Sequence, residues 1–133
     1  MNNKILIVSA NYYKEISKNL ELGAINTLKD NSFEYKVINA PGCFEIPYLI
    51  KKNIDIFNGF ISLGCIIKGD TYHFEVIANE TSRKIMDLSV EFQVPIGFGI
   101  LTCYNLDQAK IRSDINQKNK GQEAALACLE LLK

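Results

Sequence analysis

The chain carries a single histidine, His73, among 133 residues, and that scarcity limits its chemistry more than any other feature. Its four cysteines, Cys43, Cys65, Cys103 and Cys128, include no close pair, and with one histidine to join them the spacing argues against a zinc centre. A chain of this length buries about two thirds of its unfolded surface, so it needs neither metal nor disulfide to fold. Each cysteine has apolar or small neighbours and is expected to pack as a buried small hydrophobe. Cys65 is also a candidate nucleophile, but no second histidine is present to generate its thiolate, and packing is the plainer reading. Neither sign of charge is in excess: Lys plus Arg and Asp plus Glu both number 15. No basic run interrupts the mixture, so neither nucleic acid nor an anionic membrane surface is an expected partner. No apolar stretch approaches the length of a membrane span. Met1 to Lys4 leads directly into Ile5-Leu6-Ile7-Val8, too short for a secretory core and without a small-residue cleavage site after it. A cytoplasmic protein of one domain, 1–133, is the expectation. Linkers, internal repeats, low-complexity tracts and a dinucleotide-binding glycine pattern are all missing.

What is present is a regular alternation of apolar runs and helical stripes. Strands are expected at Lys4 to Ser9, Glu34 to Asn39, Gly59 to Gly64 and Pro95 to Leu101. Between them, Ile16, Leu20, Ala24 and Leu28 recur every four residues in a helix from Lys14 to Lys29. Ile77, Thr81, Ile85, Leu88 and Phe92 form the apolar stripe of a long helix from His73 to Phe92. A short helix is expected from Phe44 to Asn53. Asn105 with Gln108 three residues on resembles a capping box. Asn119 to Lys133 closes the chain with Ala125, Cys128, Leu129 and Leu132 on one face. Four strands alternating with helices predict an α/β fold with a parallel sheet covered on both sides.

Such a sheet collects its chemistry at the carboxyl ends of its strands. There the sequence places Ser9 to Tyr12, Ala40 to Glu45, Gly64 to His73, and Thr102 to Tyr104. His73 follows a strand, an expected glycine turn at Gly64 and a short polar loop. It opens the long helix, where free amides disfavour an imidazolium and favour a neutral base. The plainer alternative is a histidine that caps or packs. Tyr12 and Phe44 offer flat faces to a heteroaromatic ring, with ordinary core as the alternative. Glu45 offers an acceptor for hydroxyls or amines. The loop Lys68-Gly69-Asp70-Thr71 can cradle a phosphate through its backbone N–H groups, with only the backbone of Asp70 credited because its charge repels an anion. For Gly42 and Gly69, turn geometry is the alternative.

Taken together, four blocks resemble the lumazine synthase family. They are Pro41-Gly42-Cys43-Phe44-Glu45-Ile46-Pro47; Gly64 through Glu75; Pro95-Ile96-Gly97-Phe98-Gly99-Ile100-Leu101-Thr102; and Gln108-Ala109 through Arg112 to Asn119-Lys120-Gly121. The resemblance runs from about Ile5 to the C-terminus. It implies a flavodoxin-like three-layer αβα sandwich and condensation of 5-amino-6-(D-ribitylamino)uracil with 3,4-dihydroxy-2-butanone 4-phosphate, without metal or redox cofactor. It further implies that Tyr12 and Phe98 flank the pyrimidine, that Cys43, Phe44 and Glu45 hold the uracil and ribityl groups, and that Cys65, Ile66 and Ile67 line the ring edge. Asp70, Thr71, Arg112 and Lys120 would hold the phosphate, and His73 would transfer protons. Family sites form between neighbouring subunits of a homopentamer, so Phe98, Arg112 and Lys120 would come from a second subunit. Three departures stand out. Lys68 replaces a frequent arginine and cannot make its planar two-pronged contact. Ser113 to Lys118 lacks the glycines of relatives that build sixty-subunit shells, and the first expected strand starts as early as Lys4, so a bare pentamer is expected. Two other functions fit the same resemblance: a shell or binding protein that keeps lumazine or flavin without making it, and a riboflavin synthase of the same fold.

Overall fold

The computed structural model describes residues 4–133. Its four-stranded sheet is wholly parallel, with β1 (Lys4–Ala10), β2 (Glu34–Ala40), β3 (Gly59–Ile67) and β4 (Ile96–Cys103) in the order β2-β1-β3-β4. The helices are α1 (Lys14–Asp30), α2 (Ile46–Lys52), α3 (His73–Phe92), α4 (Leu106–Ser113) and α5 (Lys120–Leu131). Alternation along each strand divides the core in two. Ile5 and Ile7, Ile61, Leu63 and Cys65, and Leu101 and Cys103 pack with α1, α4 and α5. Leu6, Val8, Phe60, Ile96 and Ile100 pack with α2 and α3. This is the expected flavodoxin-like αβα sandwich, and the stripe Ile16, Leu20, Ala24 and Leu28 on α1 is essentially fully buried. None of the helices among the described residues is long and apolar enough to cross a membrane.

Several expected boundaries shift, each for a local reason. β3 does not stop at a turn at Gly64; pairing with β4 carries it on to Ile67, opposite Cys103. Gly64 is there for proximity, since a Cβ on it would stand 2.6 Å from the Cys43 sulfur. The segment expected to be helical from Phe44 begins as a 3₁₀ turn, Cys43–Glu45, and the α-helix starts only at Ile46. Pro47, which has no N–H to donate, is tolerated only in a first turn. On α3 the buried stripe is Ala78, Thr81, Ile85 and Leu88. Ile77 is only half-buried and Phe92 is exposed, because they lie toward the two ends of α3 and not over the middle of the sheet. Asn119 caps α5 instead of joining it, its side chain accepting from the Gln122 N–H. At α4 the Asn105 side chain accepts from the Gln108 N–H at 2.9 Å, but Gln108 Oε1 reaches back to the N–H of Tyr104, one residue before the cap.

Close contacts without side chains seat α5. A Cβ on Gly97 would lie 2.0 Å from the Ala124 carbonyl oxygen, and one on Gly121 would lie 2.1 Å from that of Leu20. No glycine has positive φ, whereas among the described residues three others do: Ser32 (62°), Gln93 (51°) and Asn119 (45°). Ser32 lies in the turn from α1 to β2 and Gln93 in the turn from α3 to β4. Both turns are on the edge of the sheet where strands begin.

Candidate active site

From β1 the chain crosses to β2 on one side and later to β3 on the other, which opens a crevice above the carboxyl ends of these strands. A cavity of about 310 Å³ occupies it, lined by Tyr12, Tyr13, Gly42, Cys43, Cys65, Ile66, Ile67, His73 and Ile77. A second hollow of about 440 Å³ shares Gly42, Cys43, His73 and Ile77 and extends to Phe44 and Glu45. His73 thus stands at the junction of two compartments of one groove.

Each wall has a local cause. Tyr12 follows β1 and is 76% exposed, and Phe44 is 52% exposed. Neither ring is core, which removes the plainer alternative and leaves two free aromatic faces. Tyr13 braces Tyr12 edge-on, with ring centroids 5.0 Å apart at 81°. The Glu45 carboxylate folds over Gly42, where a Cβ would come within 3.1 Å of Oε1. That approach, not a positive φ, is what Gly42 serves. His73 is exposed as the first residue of α3, and its backbone N–H donates to Thr71 Oγ1 at 3.3 Å.

The floor is built from buried thiols. Burial pushes Cys43 up to about 11 and Cys65 up to about 12, the latter helped by the neighbouring Cys103 and Cys43 sulfurs. Burial also raises Cys103, against the opposing pull of the Arg112 guanidinium. A thiol held so far above neutrality is not a thiolate nucleophile. Cys65 is therefore a neutral, polarizable wall.

Of the residues singled out in the sequence, Tyr12, Cys43, Phe44, Glu45, Cys65, Ile66, Ile67 and His73 meet in this groove. Asp70 and Thr71 lie exposed in the loop beside it and do not line it. Three others are elsewhere on the chain. Phe98, 45% exposed, lines a separate apolar groove with Met86, Ile96 and Leu131. Arg112 is half-buried on α4, donating to the Gln108 carbonyl at 3.2 Å. Lys120 pairs with Glu123 at 3.0 Å. Tyr13 and Ile77 line the cavity without having been singled out. The signal for Tyr13 was its place beside Tyr12 at a strand end, and Ile77 lies one helical turn beyond His73.

Comparison with known proteins agrees with this geometry. The family model described as 6,7-dimethyl-8-ribityllumazine synthase matches residues 2–133. Among curated relatives of that name, the protein of Bartonella bacilliformis is 44% identical, with 97% of this chain and 88% of the relative covered. That of Novosphingobium aromaticivorans is 44% identical, with 97% and 94% covered, and that of Zymomonas mobilis 42%, with 96% and 93% covered. With likeness over nearly the whole chain, and with the matching blocks around Phe44 and His73 gathered in one groove, the chain belongs to the 6,7-dimethyl-8-ribityllumazine synthase family.

Proposed function

We propose that the chain condenses 5-amino-6-(D-ribitylamino)uracil with 3,4-dihydroxy-2-butanone 4-phosphate, yielding 6,7-dimethyl-8-ribityllumazine, phosphate and water. The observation that carries this is His73 at the junction of a groove walled by Tyr12, Phe44, Glu45 and Cys65. The aromatic faces suit the pyrimidine, and Glu45 suits its ribityl hydroxyls. Both substrates are intrinsically reactive, an amine and a phosphorylated ketone. Holding them together supplies much of the acceleration. His73 moves protons in imine formation and in phosphate elimination, a role worth about 10²–10⁴ in rate.

The phosphate end belongs to the Gly69 to Tyr72 loop and the first amides of α3, where an anion is favoured. Arg112 and Lys120 complete it from a neighbouring subunit, and Phe98 covers the pyrimidine from there. Their positions outside this chain's own groove, on surfaces at least partly open, support a site shared between subunits, and the family resemblance makes the assembly a cytoplasmic homopentamer on this reading. Incubating the purified protein with both substrates, in the presence of a chelator, and following lumazine fluorescence is the test. Product is expected. Protein that binds lumazine without forming it, or that converts lumazine onward to riboflavin, would refute the assignment.

A further inference from the structure

Beside the groove, four side chains join the start of α3 to the ends of two strands. The Lys68 N–H donates to the Cys103 carbonyl at 2.9 Å, extending the β3–β4 ladder by one residue. Its ammonium lies 3.6 Å from Glu75 Oε1 in the first turn of α3. The same ammonium lies 5.8 Å from the centroid of the Tyr104 ring, and that ring lies 6.4 Å from Phe74. Lys68 and Glu75 therefore bracket the loop Gly69 to Tyr72 and His73. The other Glu75 oxygen, Oε2, is buried and has no hydrogen-bond partner. Lys68 is thus the one charged group that answers this carboxylate among the described residues.

We propose that Lys68 and Glu75 are a positioning pair that holds the Gly69 to Tyr72 loop and the first turn of α3 in the geometry that receives the phosphate of the ketone substrate. The inference rests on the reading of that loop as the phosphate end of the site. It assigns position 68 a role that suits lysine: a compact charge set between a carboxylate and an aromatic face needs no planar fork. A partly exposed pair of this kind adds little to global stability. Its effect is on where the loop sits, and displacing a binding group by a fraction of an ångström is enough to weaken a site.

Two roles for Lys68 give opposite results. If Lys68 touches the phosphate directly, removing its competitor by Glu75→Gln frees the ammonium and lowers the KM for the ketone. If the pair positions the loop, Glu75→Gln raises that KM. We expect Glu75→Gln and Lys68→Met each to raise it by about three- to tenfold, a range that spans up to about 1.4 kcal/mol. The KM for the pyrimidine should stay within about twofold, because the aromatic faces assigned to it, Tyr12 and Phe44, belong to other segments. Lys68→Met should be worse than the double variant, since alone it leaves the partly buried carboxylate without a partner. Lys68→Arg should restore most of the loss. Titrating inorganic phosphate by calorimetry should show the same order without catalysis. An unchanged or lower ketone KM in Glu75→Gln, or strictly additive single effects, would overturn the proposal, and melting curves confirm that the variants fold. Failure of the unaltered protein to make lumazine would instead remove the functional reading beneath it.

Discussion

Replacing His73 by alanine is expected to slow lumazine formation by about 10²–10⁴ while leaving turnover that fluorescence still detects, because substrate positioning survives the loss of one proton carrier. Complete inactivity in a folded, assembled variant would show that His73 does more than move protons. The thiols give a second prediction at this scale. Cys43, Cys65 and Cys128 are raised by burial from 9.0 to about 11, 12 and 11. Above pH 9 the unfolded chain loses these protons while the folded chain keeps them, so alkali favours unfolding. The stability they contribute is complete below pH 9 and is lost as the pH rises toward 11–12, at up to about 1.4 kcal/mol per pH unit for each thiol. Melting temperatures that stay level from pH 9 to 11 would contradict this. Much of the residue-level site was legible because its chemistry is local: a lone histidine at a helix start, a Gly-Cys-Phe-Glu turn, aromatic side chains at strand ends. Tyr13 had a sequence signal in its place beside Tyr12, but the edge-on packing that makes it part of the wall is a matter of ring angle and not of spacing.

Elements were legible where a stripe or an alternation had one cause and shifted where two causes met. α1 has an uninterrupted four-residue repeat and forms as expected, one residue longer at its end. β3 outran its expected end at Gly64 because that glycine answers a packing demand from Cys43, which is distant in sequence and adjacent in space. Packing of this kind is also what makes α5 sensitive. Gly97→Ala would drive a methyl group into the backbone of α5, 2.0 Å from a carbonyl oxygen, and the expected loss is about 1–3 kcal/mol or more. Gly69→Ala meets nothing within 4 Å and should unfold with the unaltered protein in a denaturant titration. Equal stabilities for these two variants would mean that α5 does not rest on β4 as described.

At the scale of the whole molecule, no single chain brings Phe98, Arg112 and His73 into one cavity. On the proposed reading, a second copy supplies Phe98 and Arg112 to the groove, as the family resemblance in the sequence implied. His73→Ala and Arg112→Ala subunits, mixed under conditions of proven exchange, should therefore form some sites carrying both native residues. Activity is expected to exceed the mean of the two parents, and no gain would refute a shared site; light scattering on the same samples should report a pentamer. The three non-glycine residues with positive φ have a different consequence. Ser32 and Gln93 hold left-handed turns where helices feed into strands, on the edge of the sheet opposite the groove. Left-handed backbone costs a side-chain-bearing residue about 1–2 kcal/mol, of which glycine recovers part after its own entropy is counted. Gln93→Gly should thus raise the melting temperature by a few degrees and leave lumazine formation unchanged. The sheet has one rim committed to chemistry and another still open to improvement, so thermal tolerance and catalysis can evolve in this molecule without trading against each other.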